Sequence, residues 1–216
     1  MRASKVVPKS SARVADFEDL SKPAKERIAL AAHRFFAAYG IGVSVAEIAR
    51  LAETNEATVL NHYGSHEGLV QIYIDKLFKE EEGYWLERES EHPKNPEAQL
   101  RAWIRGIELE SQEAFSASCQ LARAAAHLYR FNGSDLLGQM RSARTRERDR
   151  IALLCKKAGF DDPSTLADKL VLLLDGARSD SNCFGYRGPY AQLCEAAGDL
   201  MATHRGGMKP AIPRDE

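Results

Sequence analysis

The chain has 216 residues, 44% of them apolar and 28% charged, and its formal net charge is −1. That balance permits a real hydrophobic core and excludes a globally basic nucleic-acid binder, so any DNA interface has to be local. No apolar run approaches the roughly 20 residues that a membrane-spanning helix needs, and Cys119, Cys155, Cys183 and Cys194 form no CxxC pair, so reduced thiols in a cytoplasmic protein are expected.

Residues 1–20 read as a flexible arm. Arg2, Lys5, Lys9 and Arg13 make its first part basic, and Asp16, Glu18 and Asp19 reverse the sign. Such an arm is either a solvating tail or a contact for DNA phosphate and the minor groove. It lacks the apolar stretch of a secretory signal. Ser21 is a candidate cap for a first helix, with Pro23 in its first turn. Ile28, Ala31, Ala32, Phe35 and Tyr39 recur at helical spacing, and Gly40 and Gly42 end the helix.

Ser44-Val45-Ala46-Glu47 has the pattern of a capping box. It predicts a short helix to about Leu51 with Val45, Ile48, Ala49 and Ala52 inward. Glu53 and Thr54 make a turn, and Asn55 caps a third helix through about His62. Gly64 breaks that helix. Ser65 caps a fourth, with Leu69, Val70, Tyr73, Leu77 and Tyr84 on its apolar side, ending before His92-Pro93.

Five more helices follow, over about 97–115, 117–131, 135–158, 162–180 and 190–203. No segment alternates like a strand, so the fold class is all-α with about nine helices. The organisation is an arm (1–20), a three-helix helix-turn-helix head (21–66), a helical body entered through the fourth helix (67–204) and a disordered tail (205–216).

Residues 44–62 read as helix, tight turn, helix, and a major groove admits one helix. The stretch from Arg27 to Leu69 resembles the TetR family of bacterial transcriptional regulators. The resemblance is carried by Arg34-Phe35-Phe36-Ala37-Ala38-Tyr39-Gly40, by Ser44-Val45-Ala46-Glu47-Ile48-Ala49, and by Thr58-Val59-Leu60-Asn61-His62-Tyr63-Gly64-Ser65-His66-Glu67-Gly68-Leu69. More loosely, Gly159-Phe160-Asp161-Asp162-Pro163 leading to Leu172-Leu173-Leu174-Asp175-Gly176-Ala177 resembles the family's penultimate, dimerising helix.

The resemblance implies a homodimer that binds double-stranded operator DNA, usually as a repressor, and releases it when a small effector enters the body. It places Ser44, Asn55, Glu56, Thr58, Asn61, His62 and His66 at the DNA. The chain departs from the family pattern at Glu53 (often Gly), Glu56 (Lys), Leu60 (Tyr) and His66 (Lys). From Phe35 to Ile72 the fixed charges are Arg50 against Glu47, Glu53, Glu56 and Glu67, one minus four, or −3. The basic arm, Lys22, Lys25, Arg27 and Arg34, or protonated His62 and His66, are candidate compensations. The alternative is a TetR-like small-molecule sensor with weak or lost DNA binding.

In the body, Trp103, Phe115, His127 and Tyr129 are candidates for an effector pocket, against plain core packing. Leu173, Gly176, Ala177, Leu193 and Ala197 are candidates for the dimer interface. The arginines of 141–150 read as a solvated helix face rather than a nucleic-acid patch. No catalytic motif, metal-ligand spacing or cofactor loop is present, so neither an enzyme nor a cofactor or metal is expected.

Overall fold

The computed structural model describes residues 21–110, 117–130, 135–184 and 189–205. Among them are nine α-helices and no strand: α1 (Ala24–Tyr39), α2 (Val45–Leu51), α3 (Glu56–Tyr63), α4 (His66–Glu91), α5 (Pro96–Glu110), α6 (Ala117–Arg130), α7 (Asp135–Lys157), α8 (Pro163–Phe184) and α9 (Leu193–Thr203), the last preceded by a 3-10 turn over Pro189–Gln192.

The helix ends follow local chemistry. Pro23, not Ser21, stands at the cap of α1, and its carbonyl accepts from the amides of Glu26 and Arg27. No side chain caps this start, and the fixed φ of Pro23 suits the chain for entering the helix. Gly40 stops α1 at φ +84°. Ile28, Ala31, Ala32 and Phe35 are buried as their spacing predicts, but Tyr39 is 62% exposed and only lays its ring edge on Phe35. In the last turn of α1, Phe36 and Ala37 are the buried residues instead.

Two apolar cores form, and the first extends beyond residues 21–66. The first joins α1, α2, α3 and the first half of α4 to Leu121 and Ala124 of α6 and Leu136 and Met140 of α7. The second gathers Trp85, α5, the last part of α7, α8 and α9. Trp85, rather than half-buried Tyr84, turns inward at the far end of α4 and stacks on Trp103 at 4.9 Å. Each fully buried Leu or Ile in these cores contributes about 1.5–3 kcal/mol. α4 therefore belongs to both cores, and α6 closes the head from the body side.

The arginine run of α7 forms struts between helices. Arg148 bonds Asp168 of α8 at 2.7 Å, Arg144 bonds Asp175 of α8, and Arg150 pairs with Glu82 of α4 at 2.8 Å while lying over Trp85. These cations hold α7 to its neighbours across the helix faces. No helix among the described residues is long and apolar enough to cross a membrane.

Candidate nucleic-acid interface

The two helices of the head are held by complementary capping. Ser44 Oγ accepts from the Glu47 amide, while the Glu47 carboxylate accepts from the Ser44 amide at 2.9 Å and its hydroxyl at 2.6 Å. Asn55 Oδ1 accepts from the Thr58 amide at 2.8 Å and its hydroxyl at 3.1 Å. Each carbonyl or hydroxyl covers an amide that a helix start leaves orphaned.

The turn between α2 and α3 is strained at one residue. Glu53 adopts φ +50°, a left-handed conformation that side chains with a Cβ disfavour. Arg27 braces this turn from α1. Its guanidinium donates to Ala52 O at 3.1 Å and Lys22 O at 2.9 Å, placing a cation at the carbonyl end of α2, where the dipole favours it. Tyr63 closes the other end, donating its hydroxyl to Lys25 O at 2.6 Å.

The outward side of α3 carries Glu56, Ala57, Leu60, Asn61 and His62, all exposed, with Thr58 half-buried beside them. Of the residues expected at DNA, the structure thus gathers Asn55, Glu56, Thr58, Asn61 and His62 on one short helix and its cap. Ser44 lies on the neighbouring helix start, its side chain engaged in the capping box. His66 is placed differently. Its Nε2 lies 2.8 Å from Val43 O and its ring packs edge-on to Phe36, so it ties the start of α4 to the loop before α2.

The acids of the segment also find a structural reason. Glu47, Glu56 and Glu67 all sit in first turns of helices, where a negative charge complements the dipole. Of the candidate compensating cations, Arg27 is held by backbone carbonyls, whereas the exposed Lys25 stands beside the Tyr63 contact. The basic arm lies outside the described residues.

Behind the head, α6 makes the junction to the body. Arg123 donates to Ala37 O at 2.9 Å, and Tyr73 donates to Gln120 Oε1 at 2.7 Å in a buried contact. Burial raises the Tyr73 phenol above its ordinary range and lowers His33, whose ring centroid is 5.5 Å from that of Tyr73. Among the described residues, Nδ1 of His33 is buried without a hydrogen-bond partner.

The candidate effector residues do not converge. Trp103 is buried against Trp85, and His127 packs on the head, 3.0 Å from where a Cβ on Gly42 would stand. Tyr129 is 72% exposed, and Phe115 lies outside the described residues. The candidate dimer residues divide as well. Leu193 and Ala197 are buried in the subunit's own second core, Leu173 and Ala177 pack against it, and Gly176 faces outward. Small residues on α9 therefore serve its approach to the body. The sequence reading quoted Leu172 only within the segment likened to a dimerising helix, although it is 75% exposed on α8, and it did not read Arg27 and Tyr63 as braces. Among the described residues no group of three His, Cys, Asp or Glu side chains could hold a metal. Burial raises the Cys155 thiol to about 11, which makes it an inert core residue.

Residues 28–71 match the family model described as bacterial regulatory proteins of the tetR family. Over those residues the head is similar to that family. The described residues have the fold of solved TetR-family regulators. The chain is 21% identical to a TetR-family transcriptional regulator from Streptomyces coelicolor, covering 85% of this chain and 96% of that one, with a TM-score of 0.76. It is 18% identical to AibR, solved in complex with isovaleryl coenzyme A and operator DNA, covering 83% and 98% with a TM-score of 0.65. A transcriptional regulator from Saccharomonospora viridis in complex with choline gives 19% identity, 83% and 95% coverage, and a TM-score of 0.63. No curated protein matches the sequence.

Proposed function

We propose that the chain is a homodimeric transcriptional regulator, acting as a repressor in the cytoplasm, whose operator binding is modulated by a small molecule. The observation that carries this is the exposed face of α3, with Asn61 and His62 displayed on a helix capped by Asn55 and fixed by Arg27 and Tyr63. A rigid short helix presenting amide and imidazole groups suits base edges, and the first-turn amides beside the capped one suit phosphate oxygens. The AibR and choline complexes support the effector part of the proposal by fold likeness.

The dimer face is assigned to the outer side of α8, where Leu172 and Gly176 are exposed. A large apolar side chain displayed that far is better accommodated against a second copy.

The test is equilibrium binding of Asn61→Ala and Thr58→Ala to DNA from the region flanking the gene. Each is expected to weaken binding by about 1–3 kcal/mol while leaving the dimer intact by sedimentation. Undiminished binding by both would refute the assigned helix. A folded dimer that binds no DNA would favour the sensor alternative, for which the −3 charge of residues 35–72 is the motivating observation.

A further inference from the structure

A groove of about 600 Å³ opens between the end of α4, the first part of α5 and one face of α9. That size lies within the range of small-molecule sites, about 300–1,000 Å³. Its floor is apolar: Ile104, Ala197 and Met201 line it and are all buried. Its wall is built from three guanidinium groups, Arg88, Arg101 and Arg105.

These arginines differ in how they are held. The Arg88 side chain is only 14% exposed. It donates to Tyr84 O at 3.0 Å and lies over Gly106 so closely that a Cβ there would meet its Nη2 at 2.1 Å. Its orientation is therefore fixed by the backbone beneath it. Arg101 is oriented by Glu97 at 2.9 Å, and its Nη1 stands 4.0 Å from where a Cβ on Gly198 of α9 would project. Arg105, one turn on along α5, is exposed and has no hydrogen bond or ion pair among the described residues. Glu87 and Glu91 are the carboxylates of the lining. Glu87 lies 3.6 Å from Arg88 with 63% of its side chain in solvent. The lining thus carries three arginines against two carboxylates, with Arg105 left uncompensated above an apolar floor.

We propose that this groove binds a small organic anion with an apolar body. Its charged end sits on Arg105 and Arg101, and its apolar part covers Ile104, Ala197 and Met201. A carboxylate and a phosphate ester offer the same recognition chemistry to guanidinium groups. Assigning this ligand as the effector rests on the regulator reading above. The route to the head is then α4. Arg88 lies in its last turns, and His66, its first residue, bonds the head at Val43 O. At about 1.5 Å per residue the helix spans roughly 33 Å between them.

The experiment is calorimetric titration of the full-length protein with four matched eight-carbon probes: octanoate, octyl phosphate, octylamine and 1-octanol. One or both anions are expected to bind at least about ten-fold tighter than the amine and the alcohol, as a charge-assisted hydrogen bond implies. The tighter of the two anions identifies carboxylate or phosphate as the natural end group. Arg105→Ala is expected to erase the preference for anions. Gly198→Leu fills the groove while favouring the helix, and is expected to abolish binding of all four. Equal binding of the four probes, preference for the amine, or wild-type anion affinity in both variants overturns the site. DNA binding measured without probe separates the two readings. Anion binding without any DNA binding leaves the site standing and removes the regulator. DNA binding with no anion preference does the reverse.

Discussion

Glu53→Gly is expected to stabilise the protein, because the turn it occupies is one that only glycine enters freely. At φ +50° a residue with a Cβ incurs about 1–2 kcal/mol. Glycine relieves that strain, and its greater freedom in the unfolded chain returns up to about 1 kcal/mol. The net gain is therefore about 0.5–1 kcal/mol, and a gain of that size raises Tm by roughly 1–4 °C in a chain of this length. Glu53 is exposed, so no buried side-chain contact is lost. Glu53→Ala removes the same charge but keeps the Cβ, and should leave stability within about 0.5 kcal/mol of the parent. Denaturant midpoints of the three proteins decide the matter. A loss of stability in Glu53→Gly, or an equal gain in Glu53→Ala, would refute the strain argument. The second result would transfer the effect to charge repulsion in this acidic segment.

Ser44→Ala removes one half of the capping box and should cost about 1 kcal/mol in denaturant unfolding; Ser44→Gly should cost only a few tenths. His33 is lowered by burial, with Lys76 adding to the effect and Glu80 opposing it. The unfolded chain binds a proton near the ordinary value of about 6.5, and the folded one does so only at lower pH. The stability His33 contributes is thus full above that value and falls as pH drops below it. His33→Leu should flatten the stability profile in that window, and an unchanged profile would contradict the assignment. Leu172→Asp is expected to split the dimer in sedimentation without loss of helix content, whereas a persisting dimer would move the interface off this face of α8.

Much of the head was legible because local signals agree there. The capping box at Ser44, the Asn55 cap and the spacing of Ile48, Ala49 and Ala52 all require the same two helices. The long contacts were not legible. Arg27 reaches the carbonyls of residues 52 and 53 only because α1 crosses the turn, and no spacing rule connects residues so far apart. His66 reads as a polar residue at a helix start, yet its ring faces Val43 O and Phe36. In the body, apolar periodicity identified buried helices but not their partners. Leu193 and Ala197 therefore read as interface candidates, whereas packing of α9 on the body buries them in the subunit's own core. The groove arginines gave no motif because they come from two helices and become neighbours only when α4 and α5 fold back on each other.

The acidic α2–α3 segment makes DNA affinity the decisive quantity. The most direct measurement is the affinity of the protein for DNA flanking its own gene, titrated from about 50 to 200 mM salt, where phosphate contacts are most strongly modulated. A regulator with this head should bind at the low end, with log K falling linearly with log salt and with tighter binding in Glu56→Lys. A folded dimer with no binding at the lowest salt, or binding indifferent to DNA sequence throughout, would contradict an operator-reading role for α3.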